Sequence, residues 1–484
     1  MNRSTLLAAL LCAPALCVPA HADEVGDLKA EIAAQKQAAE AQRLRLDALE
    51  RKLNAMQTQP AAQAGAPAAP LPVALTTDQQ GVKLDPDSTA ITLYSNANTS
   101  LRLYGLLEAT ISHTNHQTAP GGSATGFQTA WFSGNRLGFD AEHVLGFGQN
   151  IGMPDLKVIS KLETEFELPT GNSDTANVLF NRDAWLGFYS DTLGKITLGR
   201  QNTLTRDFTQ NWGDPYGTAE VTLKEGGYSN VNNFKQLIFY SGSANGTRVN
   251  SGIEWKKKLD DHVVLGLGYS FGSGGAGGSG DVGNGGSTPG DFTKGTTQAA
   301  SVAYNKLMVG PAVINLNASY DRANVADLIH QSELFGGNAT FGGFRLNAGI
   351  IHYTAEQGPN NSAGKRTDNS WTTSVSYTLD RMEYDLGYQV MKGSHAGFSG
   401  GGTTLNPFGN TSGVTMTADG KKSTVYGSIF YHADRQLDLY FAADYFTVGG
   451  NWLVGDAQGN GLHFGTGQTF KNETEVAVGA RFKF

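Results

Sequence analysis

The carboxyl-terminal segment alternates between polar and apolar residues without a break. Over residues 473–484, one side of an extended strand carries Thr474, Val476, Val478, Ala480, Phe482 and Phe484, and the other carries Glu473, Glu475, Ala477, Gly479, Arg481 and Lys483. Successive side chains of a strand point to opposite faces, so one face here suits hydrocarbon and the other suits water. Taken alone, the segment fits a strand facing lipid or a strand facing the core of a soluble protein.

The start of the chain favours the lipid-facing interpretation. Residues 1–22 combine an early Arg3, an apolar run and the small-x-small sequence Ala20-His21-Ala22, which is typical of a secretory signal peptide. Both cysteines lie inside this segment, so the mature chain is expected to contain neither disulfides nor cysteine metal sites. No apolar stretch of about twenty residues follows, which excludes a helical span and leaves a closed barrel for an exported membrane protein.

Turn and loop signals repeat from Leu101 to the end of the chain and allow the strands to be counted. Short connections are predicted near residues 146–155, 190–194, 259–262, 309–311, 342, 379–382 and 433–436. Long connections are predicted around His116, Asn172, Asn211, Gly278, Asn324, Pro359, Asn406 and Asp456. Alternating short turns and long loops predict an all-β fold, an antiparallel transmembrane β-barrel of about sixteen strands.

A different pattern occupies the residues before the barrel. Apolar residues recur at heptad spacing from Val25 to Met56, which predicts a coiled coil over residues 23–59, with a solitary amphipathic helix as the alternative. Residues 60–80 are rich in proline and alanine and predict a semi-extended linker. The expected domains are therefore signal peptide 1–22, α-helical coiled coil 23–59 in the periplasm, linker 60–80 and barrel 81–484.

Composition and short motifs exclude several other functions. The formal net charge of -8 argues against a nucleic-acid partner. The G-x-S-x-G match at residues 397–401 lies in a glycine-rich stretch instead of between a strand and a helix, so we attribute it to chance and expect no enzyme. The ten histidines show no paired metal spacing, and no metal or other cofactor is expected.

Seven segments in order resemble the trimeric general porins of Gram-negative outer membranes, especially those of betaproteobacteria. They are residues 103–105, 135–139, 156–171, 181–187, 198–201, 248–251 and 479–484. The resemblance covers about residues 101–484 and leaves out the coiled coil and the linker. It implies a third loop that folds into the lumen and places acidic residues opposite a basic wall.

The third long loop runs from about residue 202 to 246, and its length suggests a dedicated role. Its acidic residues, Asp207, Asp214, Glu220 and Glu225, are the candidate constriction residues of the loop.

The matching candidates on the basic wall are Arg136, Arg182 and Arg248. Alternation places Arg136 and Arg248 on the water side of their strands. Arg182 alternates with apolar residues, so a strict interpretation aims it outward unless the register shifts. A salt bridge that merely stiffens the wall remains an alternative for all three.

The expected function is a water-filled channel for passive diffusion of ions and small hydrophilic solutes. A solute-specific channel, or a barrel that tethers the membrane to the cell wall, remains an alternative. The resemblance implies a homotrimer surrounded by outer-membrane lipid and lipopolysaccharide, with Phe484 as the signal for the barrel-assembly machinery. Peptidoglycan is the candidate partner of the coiled coil.

Overall fold

The computed structural model describes residues 89–118, 122–129, 131–212, 217–226, 246–271, 295–325, 327–399, 404–405, 411–414, 416–453, 463–464 and 470–484, together with three helical residues, Lys36, Glu40 and Arg43. The predictions of a signal peptide, coiled coil and linker otherwise fall outside the described residues and stay predictions. No helix in the described part of the chain is long and apolar enough to cross a membrane.

The described part is dominated by antiparallel strands. In chain order these are β1 (Ile91–Ser95), β2 (Thr99–Thr118), β3 (Gly122–Thr129), β4 (Asn135–Val144), β5 (Lys157–Phe166), β6 (Asp183–Ser190), β7 (Gly194–Asn202), β8 (Arg248–Lys258), β9 (Val263–Ser270), β10 (Thr297–Val309), β11 (Ala312–Val325), β12 (Leu328–Phe341), β13 (Phe344–Gln357), β14 (Gly364–Leu379), β15 (Met382–Ser399), β16 (Thr404–Leu405), β17 (Met416–His432), β18 (Leu437–Gly450), β19 (Trp452–Leu453), β20 (His463–Phe464) and β21 (Asn472–Lys483).

The helical elements are short. They are α1 (Leu204–Phe208) and three 3₁₀ turns, Gly146–Ile151, Thr209–Asn211 and Pro359–Asn361.

These strands form a closed barrel of sixteen. β3 and β4 pair with successive halves of β2 and together make one barrel strand, interrupted at residues 130–134. β1, β16, β19 and β20 are short additions of two to five residues. The last strand, β21, pairs with β2 from Leu106↔Lys483 to Thr114↔Glu475, which closes the ring. The predicted fold class and strand number are confirmed.

The two faces of β21 follow the predicted alternation. Thr474, Val476, Val478 and Phe482 are exposed, whereas Glu473, Glu475, Ala477 and Arg481 are buried. Large apolar side chains are exposed along the other strands as well, among them Leu267, Phe335, Ile350, Leu386 and Phe441. The outward face is therefore the lipid-facing side, and the charged residues Glu473, Glu475 and Arg481 of β21 lie inside.

Two predicted long connections are wrong. β2 continues to Thr118 and β3 starts at Gly122, so His116 lies within a strand. β11 continues to Val325 and β12 starts at Leu328, so Asn324 also lies within a strand. Polar residues at these places do not end the strands. Strand pairing is made by backbone hydrogen bonds, which form whichever side chains the strand carries. The strand count is unaffected.

Candidate functional site

The connection between β7 and β8, residues 203–247, is called loop 3 here, and the residues 203–212 and 217–226 that the structure describes lie inside the barrel. Its first residues form α1, which Thr203 caps by accepting a hydrogen bond from Arg206 N at 3.3 Å. Leu204 and Phe208 are buried against Val264 of β9 and Ala303 of β10. Because these contacts lie on the inner wall, burial of apolar surface holds the start of loop 3 inside the lumen.

Trp212 fixes the next part of loop 3 to the inner wall of β12 and β13. The side chain is completely buried and packs against Leu334 and Ile351, and its indole N–H donates to Asn317 Oδ1. The ring lies over Gly336 and Gly349, which are directly paired across the two strands. Glycine is needed there, since a Cβ at Gly336 would lie 2.3 Å from the ring and one at Gly349 would lie 2.5 Å from it.

Polar contacts hold the returning part of loop 3 to the same wall. Asn338 Nδ2 donates to Asn211 O at 2.8 Å and to Ala219 O at 2.9 Å. Arg345 Nη1 donates to Gly217 O at 2.5 Å. The described residues of loop 3 thus lie along the inner wall as far as β13, and the predicted inward fold is confirmed.

The three predicted arginines converge on two carboxylates of β5, and we call this group the arginine cluster. Arg182 donates to both Glu163 and Glu165, and Arg136 Nη1 lies 4.0 Å from Glu163 Oε1. Arg248 is buried, and its charge acts attractively on both carboxylates. The structure therefore brings all three residues to one region of the wall.

Arg182 faces inward, which answers the question that alternation left open. β6 begins only at Asp183, so Arg182 precedes the strand and its direction is not set by the apolar residues that follow. Its backbone N–H donates to Glu163 O at 3.2 Å, and the residue is 6 % exposed.

The acidic residues of loop 3 pair with lysines of the wall instead of with the arginine cluster. Asp207 accepts from Lys256 and from Gly226 N, the latter at 2.8 Å. Glu225 accepts from Lys195 and lies 3.5 Å from Lys161 Nζ.

The remaining two acidic candidates differ from these. Glu220 lies 3.4 Å from Lys306 Nζ, and both side chains are partly exposed. Asp214 lies outside the described residues.

Electrostatics explain why Glu225 stays charged although it is buried. Burial alone raises the pKa of a carboxyl group, but the positive charges of Lys195, Lys161 and Lys256 hold the pKa of Glu225 well below its ordinary value. An ionised Glu225 therefore ties loop 3 to β5 and β7 at any physiological pH.

The family model for Gram-negative porins matches residues 88–482. This chain belongs to that family. Membership places the protein in the outer membrane, as the exposed apolar face of the barrel requires. An outer membrane porin protein of Bordetella pertussis is 23% identical over 263 residues. That match covers 51% of this chain and 62% of the relative, so the chain spans less than two thirds of the relative's length.

Solved structures share the fold. The anion-selective porin from Comamonas acidovorans has a TM-score of 0.55 and 19% sequence identity, and the match covers 80% of this chain and 100% of that one. Outer-membrane-expressed OmpT of Vibrio cholerae has a TM-score of 0.50 and 15% identity, covering 81% of this chain and 100% of that one. At these identities the likeness concerns the fold alone.

Sequence reasoning missed the lysines that neutralise loop 3 in this porin. Lys161, Lys195 and Lys256 all bind loop carboxylates from the inner wall. The sequence did indicate these lysines, because each lies on the inward-facing side of a strand with alternating polar and apolar residues. The arginines were selected by resemblance, and a search for every inward cation would have included the lysines.

A second inward projection was also missed. Between β3 and β4 the chain turns inward and buries Trp131 and Phe132 against Phe430 and Tyr440. The carboxylate of Glu108 accepts from Phe132 N at 2.7 Å and from Tyr440 Oη at 3.1 Å. The adjacent aromatic residues before Ser133-Gly134 were its only sequence signal.

A tryptophan after β18 repeats the arrangement of Trp212. Trp452 is completely buried on the inner face of β15 and β17, over Gly393 and Gly420. These two glycines are also a directly paired cross-strand couple, and the indole N–H donates to Ala418 O at 3.1 Å.

Phe484 lies at the closure of the barrel. Its N–H donates to Gly105 O at 3.1 Å, and its carbonyl accepts from Gly105 N at 2.7 Å. Its ring covers Gly105, where a Cβ would approach within 2.3 Å, and stacks on Phe482 at 5.9 Å. This position is compatible with the predicted assembly signal, which stays a prediction.

The remaining motifs gain no chemical role. Gly397, Phe398 and Ser399 are the last residues of β15, not a strand-to-helix turn. Among the described residues, no group of three His, Cys, Asp or Glu side chains could hold a metal ion.

Proposed function

We propose that this porin forms a water-filled channel through which ions and small hydrophilic solutes diffuse passively across the outer membrane. Its family and fold are those of channels and not of enzymes, and the proposal assigns it no reaction. The observation that carries the proposal is loop 3, which is fixed inside the barrel at α1, at Trp212 and at Glu225. The described part of a loop held in this way narrows the lumen.

The charges along loop 3 supply the physical basis for solute passage. Fixed charges beside a water-filled gap between low-dielectric walls replace part of the hydration of ions and dipolar solutes. Apolar or oversized solutes lose water contacts there without compensation. The proposed constriction therefore passes small polar molecules in preference to apolar ones.

Selectivity follows the balance of charge in this region. Basic and acidic side chains are equal in number among the arginine cluster and the loop anchors: Arg136, Lys161, Arg182, Lys195, Arg248 and Lys256 face Glu163, Glu165, Asp183, Asp207, Glu225 and Glu254. We therefore expect a weak preference between anions and cations. Their arrangement at the constriction sets its sign.

Assembly and partners are part of the same proposal. The chain would form homotrimers in outer-membrane lipid and lipopolysaccharide, assembled by the barrel-assembly machinery with Phe484 as the signal. The exposed apolar bands of the strands support the lipid contact. Contact with peptidoglycan through residues 23–59 is a proposal on the sequence alone.

Planar-bilayer recording of the purified protein tests the channel. We expect stepwise conductance that rises with salt concentration, together with a small reversal potential across a salt gradient. Swelling of proteoliposomes in sugars of increasing size measures the solute limit. Folded, heat-modifiable protein that produces no conductance steps would refute the channel and favour a structural tether.

A further inference from the structure

The chain between β3 and β4 is longer than the partner strand can pair with. The pairing of β3 with β2 includes Thr129↔Ala109, and that of β4 includes Arg136↔Leu106. Six residues separate Thr129 from Arg136, whereas only two separate Leu106 from Ala109. The excess chain leaves the wall and bends into the barrel, and we call residues 131–135 the inward turn.

Glu108 of β2 provides the hydrogen bonds that strand pairing does not give the inward turn. It is completely buried, and its carboxylate accepts from Phe132 N at 2.7 Å and from Ser133 N at 3.2 Å. Its own N–H donates to Asn135 Oδ1 at 2.5 Å. Buried backbone N–H groups require acceptors, and an ionised carboxylate is a stronger acceptor than a neutral oxygen. Glu108 therefore fixes the inward turn at several points.

Aromatic packing fixes the inward turn on its other side. The ring of Phe132 lies edge to face with that of Tyr440, 4.8 Å between centroids, and 5.1 Å from that of Phe430. Tyr440 Oη also donates to Glu108 Oε1 at 3.1 Å, so the packing and the hydrogen bonds meet in one place. The position of the inward turn is thus set by β2, β17 and β18 together.

The far end of the inward turn contacts the arginine cluster. Arg136 Nε donates to Gly134 O at 3.1 Å, and Arg136 Nη1 lies 4.0 Å from Glu163 Oε1. Gly134 also lies against the carboxylate of Glu165, which a Cβ at this position would overlap, and Glu165 accepts from Arg182. The side chain of Arg136 is 23% exposed, compared with 7% for Arg182. Of these two guanidinium groups, Arg136 is therefore the one that water and solutes reach.

We propose that the inward turn is a specificity-determining element of the channel, with Glu108 and Phe132 as positioning residues for Arg136. Both are buried, so solutes do not reach them, and they act by holding the carbonyl of Gly134 that orients the guanidinium. A fixed guanidinium concentrates its positive potential at one place, whereas a free arginine side chain spreads the same charge over many positions. The inference rests on the proposed channel function.

Reversal potentials of the purified full-length protein in a low-salt gradient test the proposal. We expect Phe132→Ala and Glu108→Ala to shift the potential toward cations, by less than Arg136→Ser does, because the positive charge remains but is no longer held in place. The sign is decisive for Glu108, since removing a carboxylate that acted on ions through its own charge would shift the potential toward anions. Glu108→Gln, which keeps the size and one acceptor oxygen, should give a smaller shift toward cations.

Phe398→Ala is the matched control. It removes a completely buried aromatic side chain from a different cluster on the inner wall, one that contains no residue of the inward turn. We expect this variant to keep the wild-type potential. Heat-modifiable mobility shows which variants are folded, and Glu108→Gln carries the test if Glu108→Ala assembles poorly.

Double variants distinguish positioning from a general loosening of the barrel. In the Arg136→Ser background, Phe132→Ala and Glu108→Ala should cause no further shift toward cations, because the group that they position is absent. A further shift of the same size would overturn the proposal, as would an unchanged potential in folded Phe132→Ala and Glu108→Gln. These outcomes in a conducting channel refute only the role of the inward turn, whereas a wild-type protein without conductance would refute the channel itself.

Discussion

Replacing Gly349 with valine should release the Trp212 segment of loop 3 from the wall. A Cβ at this position would lie 2.5 Å from the Trp212 ring, closer than real contacts allow, and valine adds two further methyl groups. β13 is hydrogen-bonded on both sides, to β12 and to β14, so the wall cannot withdraw. The indole must move instead.

The expected magnitude follows from the burial of Trp212. Overpacking of a tight site costs about 1–3 kcal/mol, and losing the contacts of a buried tryptophan costs about 3–5 kcal/mol. A loss of about 3 kcal/mol from docking of loop 3 changes the ratio of docked to displaced loop by roughly 150-fold. The barrel itself keeps its strand pairing, so the effect should appear in the pore and not in assembly.

Single-channel recording measures this effect. We expect Gly349→Val to show higher conductance and more current noise than wild type, and Trp212→Ala to show the same changes. The double variant should differ little in conductance from either single variant, because both substitutions remove the same interaction. Gly126→Val is the control, since a Cβ at Gly126 meets nothing within 4 Å. Wild-type conductance and noise in both Gly349→Val and Trp212→Ala would refute the view that this contact holds loop 3.

Three further predictions concern charge, closure and assembly. Arg136→Ser or Arg248→Ser should shift the reversal potential toward cations by removing a fixed positive charge, and the shift should shrink as salt screens the lumen; an unmoved potential at low salt in both variants would remove these residues from the constriction. Deleting Phe484 removes two backbone hydrogen bonds and the ring over Gly105, so the fraction of heat-modifiable protein in the outer membrane should fall, and normal levels would argue against an assembly role. Deleting residues 23–59 should leave trimers and conductance nearly intact, as judged by native electrophoresis and bilayer recording, whereas monomers would show that the coiled coil holds the subunits together.

Local alternation was enough to predict the barrel wall. Each strand of the barrel must form its backbone hydrogen bonds within the sheet and must present one face to lipid. The period-two pattern of β21 therefore predicted its two faces correctly. Strand ends were harder to predict. His116 and Asn324 are polar yet lie within strands, because side-chain polarity does not stop a ladder that continues in the partner strand.

The contacts of loop 3 could not be predicted from the sequence. The match between Trp212, Gly336 and Gly349 depends on the register of β12 against β13 and on the path of the loop, neither of which is encoded locally. Arg182 was ambiguous for the same reason, since its direction depends on where β6 begins. The pairing of Asp207 with Lys256 likewise joins residues far apart in sequence.

The paired glycines beneath Trp212 and Trp452 are the places where the barrel wall receives a side chain from a loop. Each pair is a gap in the side-chain lining that a single indole fills, so the tryptophan and its two glycines form one packed attachment point on the wall. A side chain larger than glycine at any of these four positions would displace the indole that covers it. An engineer who moves such a loop between barrels would therefore have to move the tryptophan together with its two glycines.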